Sequence, residues 1–73
     1  MKEIIVFTYK GSDPFLCKEV NHNFSIGDCV YCELTQKEIK RVKEFYPHLD
    51  CEGIITEKLI DIVDMKILWT VDI

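Results

Sequence analysis

Four cysteines and two histidines are the residues in this 73-residue chain that could bind a metal or do redox chemistry. Cys29 and Cys32 form the C-x-x-C pair, a spacing shared by zinc knuckles and dithiol redox sites. A redox pair works at a helix N-terminus, where the helix dipole lowers the thiol pKa. A zinc site would need further ligands, and the candidates are Cys17, Cys51, His22 and His48.

The predicted strand around this pair argues against a zinc site, and the predicted helix starts only at Thr35, three residues after Cys32, which argues against a redox site. Residues 28–34 alternate as a strand does, and residues three apart in a strand point to opposite faces. We therefore expect Cys32 in the core and Cys29 on the outer face beside Tyr31. The remaining cysteines and histidines show no metal-ligand spacing, so we expect no metal and no cofactor. His22, between two asparagines, is expected to be solvated.

The chain shows no residue set suited to catalysis. It has no Ser/His/Asp arrangement at usable spacing and no glycine-rich phosphate loop. A domain of this size also offers little room for a cleft. We predict that the protein is not an enzyme.

Strands and one helix must position any binding residues. A turn at residues 10–14 makes the first two strands a hairpin. Residues 56–66 also fit a helical spacing, although their β-branched content favours a strand. Gly53 is expected to allow a bend or bulge. The predicted strands are 3–9, 15–20, 28–34, 51–60 and 66–73, and the predicted helix is 35–46.

The helix has the clearest boundary signals in the sequence. Thr35 and Glu38 form a T-x-x-E capping box, and Leu34 and Ile39 suit a hydrophobic staple around it. Pro47 ends the helix. Ile39 therefore begins an apolar stripe that faces the core.

The order β-β-β-α-β-β predicts a mostly β domain, residues 1–73, built as a small five-stranded, partly open barrel. This order resembles the OB-fold. Residues 24–30, F-S-I-G-D-C-V, followed by G-I-I at 53–55 and W-T-V at 69–71, look like SH3-like barrels of the KOW kind. The resemblance implies that the strand after Gly27-Asp28 pairs with the strand at Gly53. It also implies binding of proteins, peptides or nucleic acids.

Charge is distributed unevenly along the chain, whose net charge is −4. Residues 35–48 carry four cations and two anions, net +2, whereas residues 49–73 carry two cations and six anions, net −4. An acidic protein is poorly suited to phosphate backbones. Tyr31 and Tyr9 are candidate aromatic contacts, whereas Trp69 alternates with core residues. The charged binding candidates are Lys37, Lys40 and Arg41 on the helix, and Asp61 and Asp64 in the acidic third.

These observations favour a protein-interaction module that presents an acidic surface to another protein. An adaptor or an inhibitor fits best, with a virus or mobile element as a conceivable source. The alternatives are a nucleic-acid-binding barrel using Tyr31 and the basic helix, and a domain that binds a metal or small metabolite. No export signal or membrane span is expected, so the cytoplasm is the predicted compartment. We also expect that the edge of the last strand could support a homodimer.

Overall fold

A computed structural model describes residues 1–47 and 52–73, without the side chain of Phe45. The predictions for His48, Leu49, Asp50 and Cys51 lie outside the described residues. The elements are β1 (Lys2–Thr8), β2 (Leu16–Val20), β3 (Cys29–Tyr31), α1 (Gln36–Phe45), β4 (Glu52–Asp61) and β5 (Lys66–Asp72).

The strands form one curled five-stranded sheet in the order β2-β1-β5-β4-β3. β1 pairs antiparallel with β2, as the predicted hairpin requires, and parallel with β5. β4 pairs antiparallel with both β5 and β3. The prediction of a mostly β, partly open barrel with one helix is confirmed. The strand after Gly27-Asp28 also pairs with the strand at Gly53, as the resemblance implied, with Val30 opposite Gly53.

The helix and one face of the sheet enclose the core. Ile5 and Phe7 of β1 lie beside Trp69 and Val71 of β5 on this face, because the two parallel strands are in register. Val42 contributes from α1 and is 3% exposed. The apolar residues that alternate along the strands therefore pack with the apolar stripe of the helix in one cluster, as expected from the sequence.

Three predictions about the strands need correction. β3 ends at Tyr31 rather than at residue 34, because the chain leaves the sheet there to reach the helix. The bulge in β4 lies between Ile55 and Glu57, not at Gly53. β5 is a central strand, because its parallel pairing with β1 places it between β1 and β4; the edges of the sheet are β2 and β3.

Residues 56–66 form a strand and a turn, as the favoured interpretation predicted. β4 continues to Asp61, a turn spans residues 62–65, and β5 starts at Lys66. The helical alternative for this segment is wrong, because pairs from Glu57↔Thr70 to Asp61↔Lys66 join the two strands.

The helix begins as the capping box predicts. Thr35 Oγ1 accepts a hydrogen bond from Glu38 N at 3.2 Å, and Glu38 Oε1 accepts one from Thr35 N at 2.9 Å. Lys18 Nζ of β2 donates to the same Glu38 oxygen at 2.9 Å and to the Glu33 carbonyl at 2.9 Å. This arrangement ties the helix start to the sheet.

The pKa of Glu38 is lowered to about 2, first by the hydrogen bond from Lys18 and then by the backbone N–H of Thr35. A carboxylate whose folded pKa lies below its ordinary value stabilises the fold above that value and loses this contribution as the pH falls. The stabilisation is therefore complete above pH 4.5 and disappears towards pH 2.

Glu38→Gln should remove this pH dependence while keeping a capping side chain. Acidification from pH 6 to pH 2.5 should lower the free energy of unfolding less in the variant than in the wild type, by about 1–2 kcal/mol. This is the range expected for a helix cap combined with a charge-assisted hydrogen bond. Urea unfolding at both pH values measures it. Lys18→Met is the companion variant; an unchanged acid response in both variants would contradict the role of the pair.

No helix in the described part of the chain is long and apolar enough to cross a membrane.

Candidate binding surface

The β4–β5 hairpin ends in a run of exposed apolar residues, here called the apolar tip. Val63 is 87% exposed and Ile62 is 73% exposed, both in the turn itself. Turns are usually built from glycine, proline, asparagine, aspartate and serine, so aliphatic residues here need another explanation. The other members, each more than half exposed, are Leu59, Ile60 and Met65.

Asp61 fixes the shape of the apolar tip. Its Oδ1 accepts hydrogen bonds from the backbone N–H groups of Val63 at 3.0 Å and Asp64 at 3.1 Å. Met65 closes the turn with φ of 54°, a conformation that favours glycine or asparagine. The turn therefore has a defined geometry. It holds an exposed methionine at a position where glycine would adopt the same backbone conformation with less strain.

Charged residues surround the apolar tip. Asp64 lies 3.8 Å from Lys66, and Lys58 Nζ lies over the Trp69 ring, 4.9 Å from its centroid. Glu57 and Asp61 complete the set, so three anions and two cations flank the tip, net −1. The surface is apolar at its centre and mildly acidic at its rim.

The part of β4 next to the apolar tip has an open edge. β3 pairs only with residues 52–54 of β4. From Glu57 to Asp61, β4 pairs with β5 on one side and with no other strand among residues 1–47 and 52–73. The backbone groups on that side are available for another chain.

Tyr31 lies at the other end of β4, paired with Glu52, and is 69% exposed. It lines a groove of about 320 Å³, here called the helix groove, between the connector after β3 and helix α1. Leu34 and Ile39 form apolar walls, with Gln36, Val42 and Lys43 along the helix side and Cys32 and Glu33 along the connector.

The predicted basic residues of the helix are exposed, and they do not line the helix groove. Lys37, Lys40 and Arg41 form no ion pair in the portion that the structure describes. Glu38, on the same helix, is bound to Lys18. Four helix cations, including Lys43, thus project from α1.

Tyr9 occupies a different place from Tyr31. It is half-buried, and its ring packs against Tyr46 at 5.2 Å between centroids. Tyr46 in turn contacts Phe15 at 5.0 Å. This aromatic cluster joins the end of the helix to the sheet.

The structure does not bring all the predicted binding residues together. Asp61 and Asp64 lie at the apolar tip, whereas Tyr31 lies at the opposite end of β4. Tyr9 directly follows β1, and Tyr31 lies on β3. Two strands, β5 and β4, separate β1 from β3 in the sheet. The predicted residues therefore belong to two surfaces and one packing cluster.

The cysteines are arranged as the strand geometry predicts. Cys29 is exposed beside Tyr31, and Cys32 is partly buried against the core. Burial raises the pKa of the Cys32 thiol, although the nearby Lys18 ammonium opposes this. Cys17, Cys29 and Cys32 are thiols, and the described residues contain no cluster of metal-binding side chains. His22 is exposed, with its ring 4.7 Å from that of Phe24.

The apolar members of the tip were not predicted as binding residues. Leu59 and Ile60 were assigned to the strand 51–60, and the segment that follows was represented among the binding candidates by Asp61 and Asp64 alone. The available signal was the presence of Ile62, Val63 and Met65 in a turn, where apolar residues are uncommon.

Comparison of the chain with protein families, curated proteins and solved structures finds no match.

Proposed function

We propose that this protein is a non-enzymatic interaction module, an adaptor or inhibitor, whose apolar tip binds another protein. The observation that supports this most is the exposure of Ile62 and Val63 in an ordered turn. Exposed apolar side chains that cluster, rather than occurring singly, mark interaction surfaces. Burying such a cluster against a partner would remove apolar area from water, which favours association.

The acidic rim indicates the chemistry of the partner. Glu57, Asp61 and Asp64 would face basic residues around an apolar depression, since complementary charge steers association and rejects other partners. The open edge of β4 offers backbone hydrogen bonds in addition. The cytoplasm remains the expected compartment, because exposed thiols suit a reducing environment.

A second candidate function is nucleic-acid binding through Tyr31 and the basic helix. This candidate is favoured because the side chains of Lys37, Lys40 and Arg41 are exposed and form no ion pair within residues 1–47 and 52–73. The net charge of −4 opposes it, because most of the surface would repel phosphates. A small-ligand role for the helix groove is the third candidate, given a volume at the lower end of the range for ligand pockets, about 300–1,000 Å³.

Replacing two residues of the apolar tip tests the proposal. Affinity capture from the native cell identifies partners, and the double variant Ile62→Ser/Val63→Ser is then compared with the wild type against the purified partner. We expect the dissociation constant to rise about tenfold or more, since central apolar contacts dominate binding energy. Thermal stability should change little, because both side chains are exposed.

Ile54→Ser is the matched control, since Ile54 is 52% exposed on the same strand but lies near β3. It should bind like the wild type. Equal binding by the double variant would overturn the proposal. Loss of binding in Lys40→Ala/Arg41→Ala, together with nuclease sensitivity of the captured material, would favour the nucleic-acid alternative instead.

A further inference from the structure

The edge of β4 that faces away from β5 is occupied along one half only. Gly27 N donates a hydrogen bond to the Ile55 carbonyl oxygen at 2.8 Å, and Ile55 N donates one to the Asp28 carbonyl oxygen at 2.9 Å. The residues from 57 to 61 have no strand partner on that side in the described part of the chain, and all but the last are exposed. This half of the edge is therefore open to a further strand.

The register with β5 decides which side chains share a face at the open edge. Lys58 lies opposite the buried Trp69, and its Nζ lies over that ring, 4.9 Å from the centroid, so Lys58 belongs to the core face. Because strand residues alternate between faces, Glu57, Leu59 and Asp61 lie on the outer face. The outer face of the open edge thus presents a leucine between two carboxylates.

Neither carboxylate of the outer face has an ion pair within the described ranges. Glu57 lies opposite Thr70, which is uncharged. Asp61 lies opposite Lys66, but the ammonium of Lys66 lies 3.8 Å from Asp64. Asp61 Oδ1 accepts two backbone N–H groups, and its charge is not neutralised by them. The unpaired backbone groups of β4 are therefore flanked by negative charge on this face.

This charge pattern disfavours a second copy of the chain as the added strand. Antiparallel pairing of two β4 edges through all five open residues would centre on Leu59. It would place Glu57 opposite Asp61 of the second copy, twice by symmetry, and like charges directly opposite each other are destabilising. The same two carboxylates would each meet a cation if the added strand carried lysine or arginine two residues before and two residues after an apolar residue.

Apolar surface adjoins the open edge on the outer face. Glu57 and Leu59 line an open hollow of about 540 Å³, whose lining also includes Val6, Ile26 and Leu68. Lys58 lines the hollow as well, but its ammonium lies over the Trp69 ring on the core face. An apolar side chain placed beside Leu59 would therefore have apolar neighbours.

We propose that residues 57–61 bind a basic, extended segment of a partner protein as an added strand. Cations of the segment lie opposite Glu57 and Asp61, and an apolar residue lies opposite Leu59. In this mode backbone hydrogen bonds supply affinity and alternate side chains supply specificity. The inference rests on the proposed function and specifies the segment of the partner that β4 binds.

A peptide titration followed by amide chemical shifts tests the inference. The probe is a blocked peptide, T-K-T-V-T-K-T, which has the same sequence in both directions and so suits a parallel or an antiparallel strand. It should bind with a dissociation constant of about 1 mM, with the shift changes centred on residues 57–61. The control peptide, T-E-T-V-T-E-T, should bind about tenfold more weakly or not at all.

Glu57→Lys should exchange the preference between the two peptides. Its affinity for the lysine peptide should fall about tenfold, and its affinity for the glutamate peptide should exceed that of the wild type. Glu44→Lys is the matched control, because it changes the net charge equally at an exposed helix residue. It should bind both peptides like the wild type. An equal loss in both variants would show that overall charge alone attracts the peptide and would overturn the inference.

The wild type alone also tests the proposed strand. No binding of the lysine peptide up to about 10 mM, or shift changes confined to the helix groove, would overturn the inference. Self-association of the wild type through residues 57–61, seen on dilution without peptide, would overturn the choice of a basic strand. If Ile62→Ser/Val63→Ser weakens binding of the captured partner and Glu57→Lys does not, strand addition is overturned and the proposed function stands.

Discussion

Replacing Gly53 with alanine should destabilise the protein by about 3 kcal/mol, because the added methyl group has no space. A Cβ at this position would overlap the side chain of Ile73 and lie 2.5 Å from the carbonyl oxygen of Asp72 and 2.9 Å from Val71 Cγ1. The Asp72 oxygen belongs to the backbone of a central strand and cannot move without disturbing the sheet.

Thermal unfolding measures this effect. For a chain of this length a loss of 3 kcal/mol corresponds to a fall in Tm of about 12–24 °C. Ile54→Ala is the control one residue along the strand, where the side chain is half exposed and the change should be within about 1 kcal/mol. A Gly53→Ala protein as stable as Ile54→Ala would contradict the close approach of β4 and β5.

Replacing Trp69 with alanine should destabilise the protein by about 3–5 kcal/mol, and replacing it with phenylalanine by much less. Trp69 is 1% exposed, and its ring meets that of Phe24 edge-on at 5.5 Å. Its Nε1 is buried without a hydrogen-bond partner among the residues the structure describes. Phenylalanine keeps most of the packing and removes that unsatisfied donor.

The comparison of the two Trp69 variants separates packing from polar burial. An unpaired buried N–H costs about 1–3 kcal/mol, which offsets much of the volume lost in Trp69→Phe. We therefore expect Trp69→Phe to lose under about 1.5 kcal/mol in urea unfolding. A loss as large as that of Trp69→Ala would show that the indole N–H contributes to stability through a partner of its own.

The fold was predictable wherever local chemistry dictates it. The capping box of Thr35 and Glu38 and the stop at Pro47 placed the helix within one residue at each end. Alternation in residues 66–73 placed β5, and the turn at residues 10–14 placed the first hairpin. In these segments propensity, periodicity and turn residues all favour the same structure.

The arrangement of the strands was harder to predict, because non-local pairing leaves little trace in one sequence. The parallel pairing of β1 with β5, which makes the last strand central, depends on contacts more than 60 residues apart in the chain. Gly53 was interpreted as the site of a bend or bulge because glycine is common at such places, whereas its actual role is to allow close approach of β5.

The candidate site was predictable only in part. Asp61 and Asp64 were identified through their charge, and both lie at the apolar tip. Val63 was missed because the unusual presence of aliphatic residues in a turn was not recognised as a sign of a binding surface. The surface can be recognised only in the folded hairpin, which places the exposed residues Leu59, Ile62 and Val63 at one end of the sheet.

Site-specific photo-crosslinking at position 63 tests the proposed function most directly. A photoreactive residue in place of Val63 should give a discrete protein adduct in the native cell, and the same residue in place of the exposed Asn23 should not. An adduct whose added mass is 8.6 kDa would report a second copy, and any other discrete mass a different protein. No protein adduct at position 63, together with a nuclease-sensitive adduct at Lys40, would contradict the assignment of the apolar tip as a protein-binding surface.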